Sequence, residues 1–496
     1  MILAHDLGTT GNKASLYSRE GLLVGSQTEA YATDFGPHGR AEQNAEDWWR
    51  AVVQGTQQLL ESTGTQPADI DCIVFSGQMM AVVPLDGDGE PVRHAMIWAD
   101  TRSQEECDQL IEMVGMERAY QITGHRLNPT YSLPKMMWLR RTEPALWKRV
   151  RTIAQPKDFV AYRLTGRLAT DPSDASGMDA FDQTRGVWSD ELLSAAEIDE
   201  SLLPEIVPST TVLGGVTKSA AAATGLLPGT PVVVGGGDGP CAALGAGVVR
   251  PESGAYTYLG SSSWISHASV QPLHDPSMRT MTFNHVVPGM FLPTATMQAG
   301  GASFDWIVDL LRPDRDPERF EQLLAAAADV DTSADGLLFL PYLLGERSPY
   351  WNPRARGAFV GLARHHGQAH MVHAVLEGVA MNLYTAVLAF AEMGSRIESV
   401  DAIGGGARSD LWLQISSDVW KLPVRRRSIV EEANGLGAAV VGGVAVGLFP
   451  DFDVAATLSA VQAEFAPDEE RHNRYETLYG LFLDSYRALE PIFDEL

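Results

Sequence analysis

The sequence contains little cysteine and much less positive than negative charge. Only three cysteines, Cys72, Cys107 and Cys241, occur in 496 residues. None forms a CxxC pair, which excludes a disulfide framework and argues against a cysteine zinc site. Lys and Arg number 37 against 63 Asp and Glu, a formal net charge of −26. Nucleic acids and anionic membranes attract proteins with a basic field, so neither is expected as a partner.

Long apolar runs are also missing. The N-terminal sequence MILAHDLGTTGNK has no basic segment followed by an apolar one. It therefore predicts no signal peptide, and the expected location is the cytoplasm. The longest uncharged stretch, residues 435–449, is rich in glycine and shorter than the roughly 20 apolar residues of a membrane span. We expect it to form a packed core helix.

The order of strand and helix patterns indicates an α/β fold. Residues 2–7 and 14–17 predict strands on either side of a Gly-Thr-Thr-Gly turn. Residues 255–259 and 264–268 predict two more strands, again separated by a glycine and hydroxyl residues. This repeat predicts two similar domains that each offer a turn to a shared cleft. We place their boundary near residue 247, which gives domains 1–247 and 248–496.

The first of these turns, residues 6–13 (DLGTTGNK), has the composition of a phosphate clamp. Its two glycines allow a tight turn that directs N–H groups to one point. Asp6, at the end of the strand, is a candidate ligand of Mg²⁺, which prefers oxygen donors. A plain hairpin turn is the alternative, whereas a Walker A loop is excluded by the spacing. Hydroxyl groups and a positive charge come from Thr9, Thr10 and Lys13.

Asp238 stands between glycines, and three glycines separate it from a predicted strand at 232–234. A carboxylate presented in this way suits a general base, and at its ordinary pKa of ~3.9 it is ionised at pH 7. A helix N-cap is the alternative, and both roles can hold at once. The surrounding GDGPCA also matches a dinucleotide-binding pattern, but its proline and acidic residue disfavour that interpretation. A dehydrogenase remains a hypothesis that NADH binding would test.

Two further glycine segments follow predicted strands in the second half. Gly300 and Gly301 open a predicted helix, and a helix N-terminus behind glycines is suited to an anion. The triple glycine at 404–406 allows the backbone to approach a flat ligand such as adenine. Turns between a strand and a helix use the same residues, so both segments also have a purely structural interpretation.

These blocks, in this order, resemble the FGGY family of carbohydrate kinases over essentially the whole chain. The most specific block is GAFVGL at 357–362 followed, after seven residues, by HMVHAVLE at 370–377, which is similar to the family's second signature. KMMWL at 135–139 resembles the core of the first signature. DPSDASGMDAF at 171–181 and GERSPYW at 345–351 are also similar to family blocks.

The resemblance implies two ribonuclease-H-like domains of the actin/hexokinase/Hsp70 type around an interdomain cleft. The sugar would bind the N-terminal domain, and ATP the C-terminal one. Asp238 would be the general base and, with Asp6, would lie at the Mg²⁺. A small-molecule sugar is the expected partner, and a homodimer is a further expectation. The implied contacts to the nucleotide and its phosphates are Thr9, Thr10, Lys13, Gly260, Ser261, Gly301, Gly405, Gly406, Ala407 and Asp410.

Within the family, GQM at 77–79 and WAD at 98–100 are similar to the xylulokinase branch, which implies D-xylulose as the substrate. Met80 and Gly239 depart from that branch, which carries histidine and asparagine there. A site with fewer polar groups forms different hydrogen bonds with the hydroxyls of a sugar. Gluconate, ribulose, glycerol, erythritol and the autoinducer-2 precursor therefore remain alternative substrates. A non-catalytic, ATP-switched binding protein of the actin/Hsp70 type is the alternative of another class. The implied sugar contacts are Gln78, Met79, Met80, Trp98, Asp100, Asp238 and Gly239.

Overall fold

Strands and helices alternate through both halves of the chain. The computed structural model describes residues 1–331, 334–429 and 432–496. The strands up to residue 247 are β1 (Ile2–Leu7), β2 (Gly11–Tyr17), β3 (Leu23–Ala30), β4 (Asp34–Phe35), β5 (Ala41–Gln43), β6 (Cys72–Gly77), β7 (Val83–Leu85), β8 (Ala95–Met96), β9 (Thr152–Ala154), β10 (Ala169–Thr170), β11 (Phe181–Asp182), β12 (Val187–Trp188), β13 (Glu205–Ile206), β14 (Val212–Gly215), β15 (Pro231–Val233) and β16 (Gly236–Gly237). The helices of this half are α1 (Ala45–Thr63), α2 (Gln104–Val114), α3 (Met116–Thr123), α4 (Ser132–Thr142), α5 (Pro144–Trp147), α6 (Pro156–Thr165), α7 (Pro172–Ser176), α8 (Asp190–Ala196), α9 (Lys218–Thr224) and α10 (Asp238–Gly245).

The second half continues the same alternation. Its strands are β17 (Ala255–Leu259), β18 (Ser263–His267), β19 (Met281–Asn284), β20 (Phe291–Met297), β21 (Leu338–Leu340), β22 (Ala358–Val360), β23 (Val400–Ile403), β24 (Val424–Arg427) and β25 (Val461–Phe465). Its helices are α11 (Gly301–Leu311), α12 (Arg319–Ala328), α13 (Gln368–Glu392), α14 (Asp410–Trp420), α15 (Ala433–Ala445), α16 (Val454–Leu458) and α17 (Glu469–Phe493).

Two mixed sheets with matching topology form the centre of the molecule. The first has the order β14-β15-β6-β1-β2-β3, and the second β25-β24-β23-β17-β18-β20-β19. In each sheet the opening strand, β1 or β17, pairs antiparallel with its hairpin partner and parallel with the strand on its other side. The outer pairs, β14-β15 and β24-β25, are antiparallel in both. The prediction of two similar α/β domains is therefore confirmed.

Helices α10 and α15 cross between the two sheets at very short distance. A Cβ on Gly245 would lie 1.9 Å from the carbonyl oxygen of Ala433, and one on Gly437 would lie 1.9 Å from that of Cys241. Only glycine allows the backbones to approach this closely. The core helix predicted at 435–449 is thus confirmed as α15, which packs against β1 and β6 of the first sheet although it belongs to the second half of the sequence.

Helix α13 is the long apolar helix of the second half. By length and composition it could cross a membrane, but almost all of it is buried in the protein. It packs against α11, α14, β20 and β21. Its apolar surface is therefore used for the core of this half, because burial of such surface is the main stabilising contribution in a folded domain.

Candidate active site

A cavity of about 280 Å³ lies in the cleft between the two halves. Its walls come from both of them, and the predicted turns and the predicted base meet there. A larger hollow of about 440 Å³ lies elsewhere, and none of the residues around it belongs to the predicted site. Residues from the first half that line the cleft cavity are Thr9, Met79, Met80, Trp98, Asp238, Gly239 and Pro240, and residues from the second half include Tyr256, Ser262, Trp264, Gln298, Arg347 and Asn434.

Asp238 is the first residue of α10. The helix is capped at Gly237, without a side-chain capping bond, so the N-cap interpretation of Asp238 is wrong. Its Oδ1 accepts a hydrogen bond from the N–H of Gly239 at 2.8 Å. Burial, and then the charge of Asp6, raise the pKa of Asp238 to about 7. The expectation of an ordinary pKa is therefore wrong, and the raised value suits a proton acceptor that works near neutral pH.

Asp6 lies at the end of β1 beside Asp238. Its Oδ1 accepts hydrogen bonds from Ser76 Oγ at 2.8 Å and from Asn434 Nδ2 at 3.4 Å. Burial raises the pKa of Asp6. In the described ranges of the chain, no group of three or more His, Cys, Asp or Glu could hold a metal ion alone. Two carboxylates fit Mg²⁺, which keeps several waters and shares its remaining positions with substrate phosphates.

The first predicted phosphate turn joins β1 and β2. The N–H of Gly8 donates to the carbonyl of Gly11 at 3.0 Å and closes the turn. Trp98 Nε1 donates to Thr9 Oγ1 at 2.9 Å, so Thr9 is fixed at the cavity wall. Thr10 is exposed at the tip and is not among the cavity residues. Lys13 pairs with Asp6 in the β1-β2 register, and its Nζ is 3.9 Å from Glu432.

The three glycine segments of the second half converge at the end of β17. The N–H of Gly301 donates to the carbonyl of Gly260 at 2.6 Å, and that of Ala302 donates to Ser261 at 3.0 Å. A Cβ on Gly404, whose φ is 86°, would lie 2.9 Å from the carbonyl oxygen of Leu259. Segments distant in the sequence are therefore brought to one place, as a shared ligand requires.

The remaining predicted nucleotide residues differ in their surroundings. The Cβ position of Gly405 has no heavy atom within 4 Å, whereas that of Gly406 lies 2.8 Å from Leu259. Ala407 is buried. The Asp410 side chain is exposed and accepts a hydrogen bond from Arg426 Nη1 at 2.7 Å. The space beside the Gly405 backbone is thus the clearest candidate in this segment for the position of a flat ligand.

Of the predicted sugar contacts, Met79, Met80, Trp98 and Gly239 line the cavity, but two others lie behind it. Gln78 is buried and donates from Nε2 to Gln43 Oε1 at 2.8 Å. Asp100 is fully buried, where it accepts from the Ala41 N–H at 2.9 Å and pairs with Arg102. The structure therefore brings neither of these side chains to the cavity wall.

Lys135, from the first signature block, holds the backbone behind the predicted sugar contacts. Its buried ammonium donates to the carbonyls of Met80 at 2.9 Å, Ile97 at 2.6 Å and Thr130 at 2.6 Å. Met80 has a φ of 64°, which is unusual for a side chain other than glycine. Burial lowers the pKa of Lys135 to about 7. The lysine thus fixes a strained residue at the cavity wall.

Arg347 is a cleft residue to which the sequence analysis gave no role, although it lies in the quoted GERSPYW block. Its guanidinium carbon is 5.8 Å from the centre of the Trp98 ring, so it reaches across the cleft. Burial lowers the pKa of Arg347. The neighbouring Glu346 accepts from the N–H of Gln298 and from Asn382 Nδ2. Within the described ranges no carboxylate forms an ion pair with Arg347, which leaves a cation facing the cavity.

Comparison with known proteins agrees with this geometry. Residues 1–245 match the N-terminal domain of the FGGY family of carbohydrate kinases, and residues 255–446 match its C-terminal domain. A xylulose kinase of Bacillus subtilis is 33 % identical over 98 % of this chain and 96 % of its own length. A gluconokinase of Bacillus licheniformis is 32 % identical over 100 % of this chain and 97 % of its own.

A solved structure extends the comparison to the fold. The ligand-bound xylulose kinase of Lactobacillus acidophilus has a TM-score of 0.94 and 26 % identity, and it covers 100 % of this chain and 99 % of its own. These matches replace the dehydrogenase and the non-catalytic alternatives, because both halves of the chain match a family of carbohydrate kinases, which are enzymes that phosphorylate a sugar with ATP. The chain therefore belongs to the FGGY family of carbohydrate kinases and is an ATP-dependent sugar kinase.

Proposed function

We propose that this chain transfers the γ-phosphoryl group of ATP to the terminal hydroxyl of D-xylulose and forms D-xylulose 5-phosphate. One observation carries the proposal: Asp238 and both hydroxyl-bearing turns lie at one cavity. Thr9 from the first turn and Ser262 from the second turn line its wall. The names of the full-length relatives support the sugar. We assign sugar binding to residues 1–247, nucleotide binding to 248–496, and the cytoplasm as the location.

Asp238 is the proton acceptor in this proposal. The oxygen of the sugar hydroxyl bonds to the γ-phosphorus, while the bond from that phosphorus to the bridging oxygen of ADP breaks. The hydroxyl proton passes to the Asp238 carboxylate. Without a bound ion, burial and the charge of Asp6 raise the pKa of Asp238 to about 7, so its basicity is closer to neutral pH than that of an ordinary aspartate.

Charge stabilisation is the larger requirement of phosphoryl transfer. Asp6, with Asp238, would hold Mg²⁺ through its oxygens, and the ion would neutralise charge on the phosphate oxygens. The N–H groups of the Gly8 and Gly260 turns and the Thr9 hydroxyl would orient the phosphates. Water is excluded on the sugar side by Met79, Met80 and Trp98, which present mainly apolar surface.

Gluconate is a second candidate substrate, and Arg347 is the observation that favours it. A guanidinium without a carboxylate partner among the described residues would bind the carboxylate of a sugar acid through paired hydrogen bonds. The full-length gluconokinase relative supports this alternative. Met80 and Gly239 also offer fewer polar groups to a ketose than the xylulokinase pattern does.

The experiment is a coupled assay of ADP release with MgATP and a panel of sugars. The panel contains D-xylulose, gluconate, ribulose, glycerol and erythritol. We expect kcat/KM for D-xylulose to exceed that for each other sugar by about tenfold or more, because matched polar contacts discriminate strongly. A higher value for gluconate would replace D-xylulose with the second candidate. ADP release that no sugar accelerates would contradict the proposal.

A further inference from the structure

Four charged side chains form a fully buried group beneath the segment that carries Asp238. Lys157, on α6, places its Nζ 2.6 Å from Asp158 Oδ1, 3.1 Å from Asp171 Oδ1 and 3.3 Å from Asp174 Oδ2. The four side chains are at most 1 % exposed. Asp171 and Asp174 belong to the DPSDASG block, to which the sequence analysis gave no function. We call these residues the buried quartet.

Formation of the buried quartet costs free energy, because its charged groups are removed from water. Burial lowers the pKa of Lys157, but the charges of the three aspartates outweigh it and leave that pKa well above its usual value. Burial also raises the pKa of Asp158 and Asp174. Since the cost of removing charges from water often exceeds their attraction, buried ion pairs are weak evidence for stability. The role of the buried quartet is therefore better inferred from the neighbouring residues that it holds in place than from its contribution to stability.

Ser173 joins the buried quartet to the peptide that precedes Asp238. Its Oγ–H donates to Asp171 Oδ2 at 2.6 Å, and its Oγ accepts the N–H of Gly237 at 2.9 Å. An ionised carboxylate can only accept hydrogen bonds, so the single hydroxyl proton of Ser173 is committed to Asp171. The oxygen of Ser173 is then left to accept the Gly237 N–H.

The same segment is also held from the other side. Gly237 pairs with Gly77 of β6 in parallel register, and a Cβ on Gly77 would lie 3.1 Å from Lys157 Cβ. The buried quartet and β6 thus enclose the two residues of β16 that immediately precede Asp238. Very little freedom remains for the peptide between Gly237 and Asp238.

We propose that Ser173 is a positioning residue for phosphoryl transfer: backed by Asp171 and Lys157, it fixes the Gly237 peptide and thereby the position of the Asp238 carboxylate in the cleft. This inference rests on the proposed role of Asp238 as the proton acceptor. A displacement of about 1 Å at a reacting group can cost up to roughly 100-fold in rate. Loss of the Ser173 oxygen therefore affects the transfer step rather than nucleotide binding.

The chain offers a matched control. Ser209 Oγ donates to the same Asp171 Oδ2 at 2.8 Å. Among the described residues, it is the Ser173 side chain and not that of Ser209 that accepts the Gly237 N–H. We compare Ser173→Ala and Ser209→Ala in kcat and in KM for sugar and for MgATP. Ser173→Ala should lower kcat by roughly 10- to 100-fold with an unchanged KM for MgATP, and Ser209→Ala should stay within about threefold of wild type.

The inference is overturned if Ser173→Ala keeps the wild-type kcat, or if both variants lose equal activity in proportion to their loss of thermal stability. If Ser173→Ala does not fold, Ser173→Cys gives the decision, because its thiol fills the site with a slightly larger atom that is a weaker hydrogen-bond partner. A lowered kcat with an unchanged KM for MgATP would support the inference, and a wild-type kcat would overturn it. Asp238→Asn separates the two proposals. If it stays active, the proposed base is wrong. If it is inactive while Ser173→Ala is normal, only the positioning role is wrong.

Discussion

Replacing Asp238 with asparagine is the perturbation with the clearest expected effect. The change keeps the size of the side chain and removes its ability to accept a proton. The amide oxygen can still accept the Gly239 N–H that now bonds Oδ1, so α10 should begin normally. General-base loss costs about 10²- to 10⁴-fold, or roughly 3–5 kcal/mol of barrier lowering.

The assay is sugar-dependent ADP release at saturating MgATP, with nucleotide affinity measured by calorimetry. We expect kcat to fall by the stated amount and the affinity for MgATP to fall much less, because Asp6 and the phosphate turns still bind the ion and the phosphates. The control is Asp484→Asn, an exposed aspartate that pairs with Arg487 on the terminal helix, which should behave as wild type. A variant at position 238 that folds and keeps kcat within about threefold of wild type would refute the reasoning.

Three other predictions concern the surroundings of the site. Lys135→Met removes the ammonium donor from three carbonyls, of which that of Ile97 still accepts the Asp100 N–H. The backbone at Met80 is then less firmly held, so KM for sugar should rise while KM for MgATP stays the same in steady-state kinetics; a rise in both would contradict this. Arg347→Gln should lower kcat/KM for gluconate more than for D-xylulose, since only gluconate has a carboxylate, and equal losses would argue against a carboxylate contact. His285, which donates from Nε2 to the Val248 carbonyl, has its pKa lowered by burial to about 4. Its neutral form is favoured in the folded protein, so stability should fall by about 3 kcal/mol as the pH drops from 6.5 to 4, measured by urea unfolding. His285→Gln should lose that part of the pH dependence, and an unchanged slope would refute it.

Local sequence patterns predicted much of the fold. The two strand–turn–strand units and the helix after Gly301 depend on short-range backbone preferences that a sequence displays directly. The core helix at 433–445 was predicted from its composition, but its place on the first sheet was not. That placement depends on Gly245 and Gly437, which each lie against a backbone carbonyl of the opposite helix, a long-range contact that periodicity does not reveal.

The candidate site was also predicted only where local sequence patterns mark its residues. Asp6, Thr9 and Asp238 were found because glycines and strand ends mark them. The raised pKa of Asp238 was missed because it comes from burial and from a carboxylate on another strand. Arg347 was missed for a similar reason, since only the folded chain brings it to Trp98.

The central claim is that this chain joins the γ-phosphoryl group of ATP to the terminal oxygen of D-xylulose. Phosphorus NMR of the products, recorded after the purified protein has been incubated with MgATP and D-xylulose, tests it most directly. We expect equal amounts of ADP and a phosphomonoester on the terminal carbon, formed only when both substrates are present. ADP accompanied by inorganic phosphate alone, or a phosphate on another hydroxyl, would contradict it.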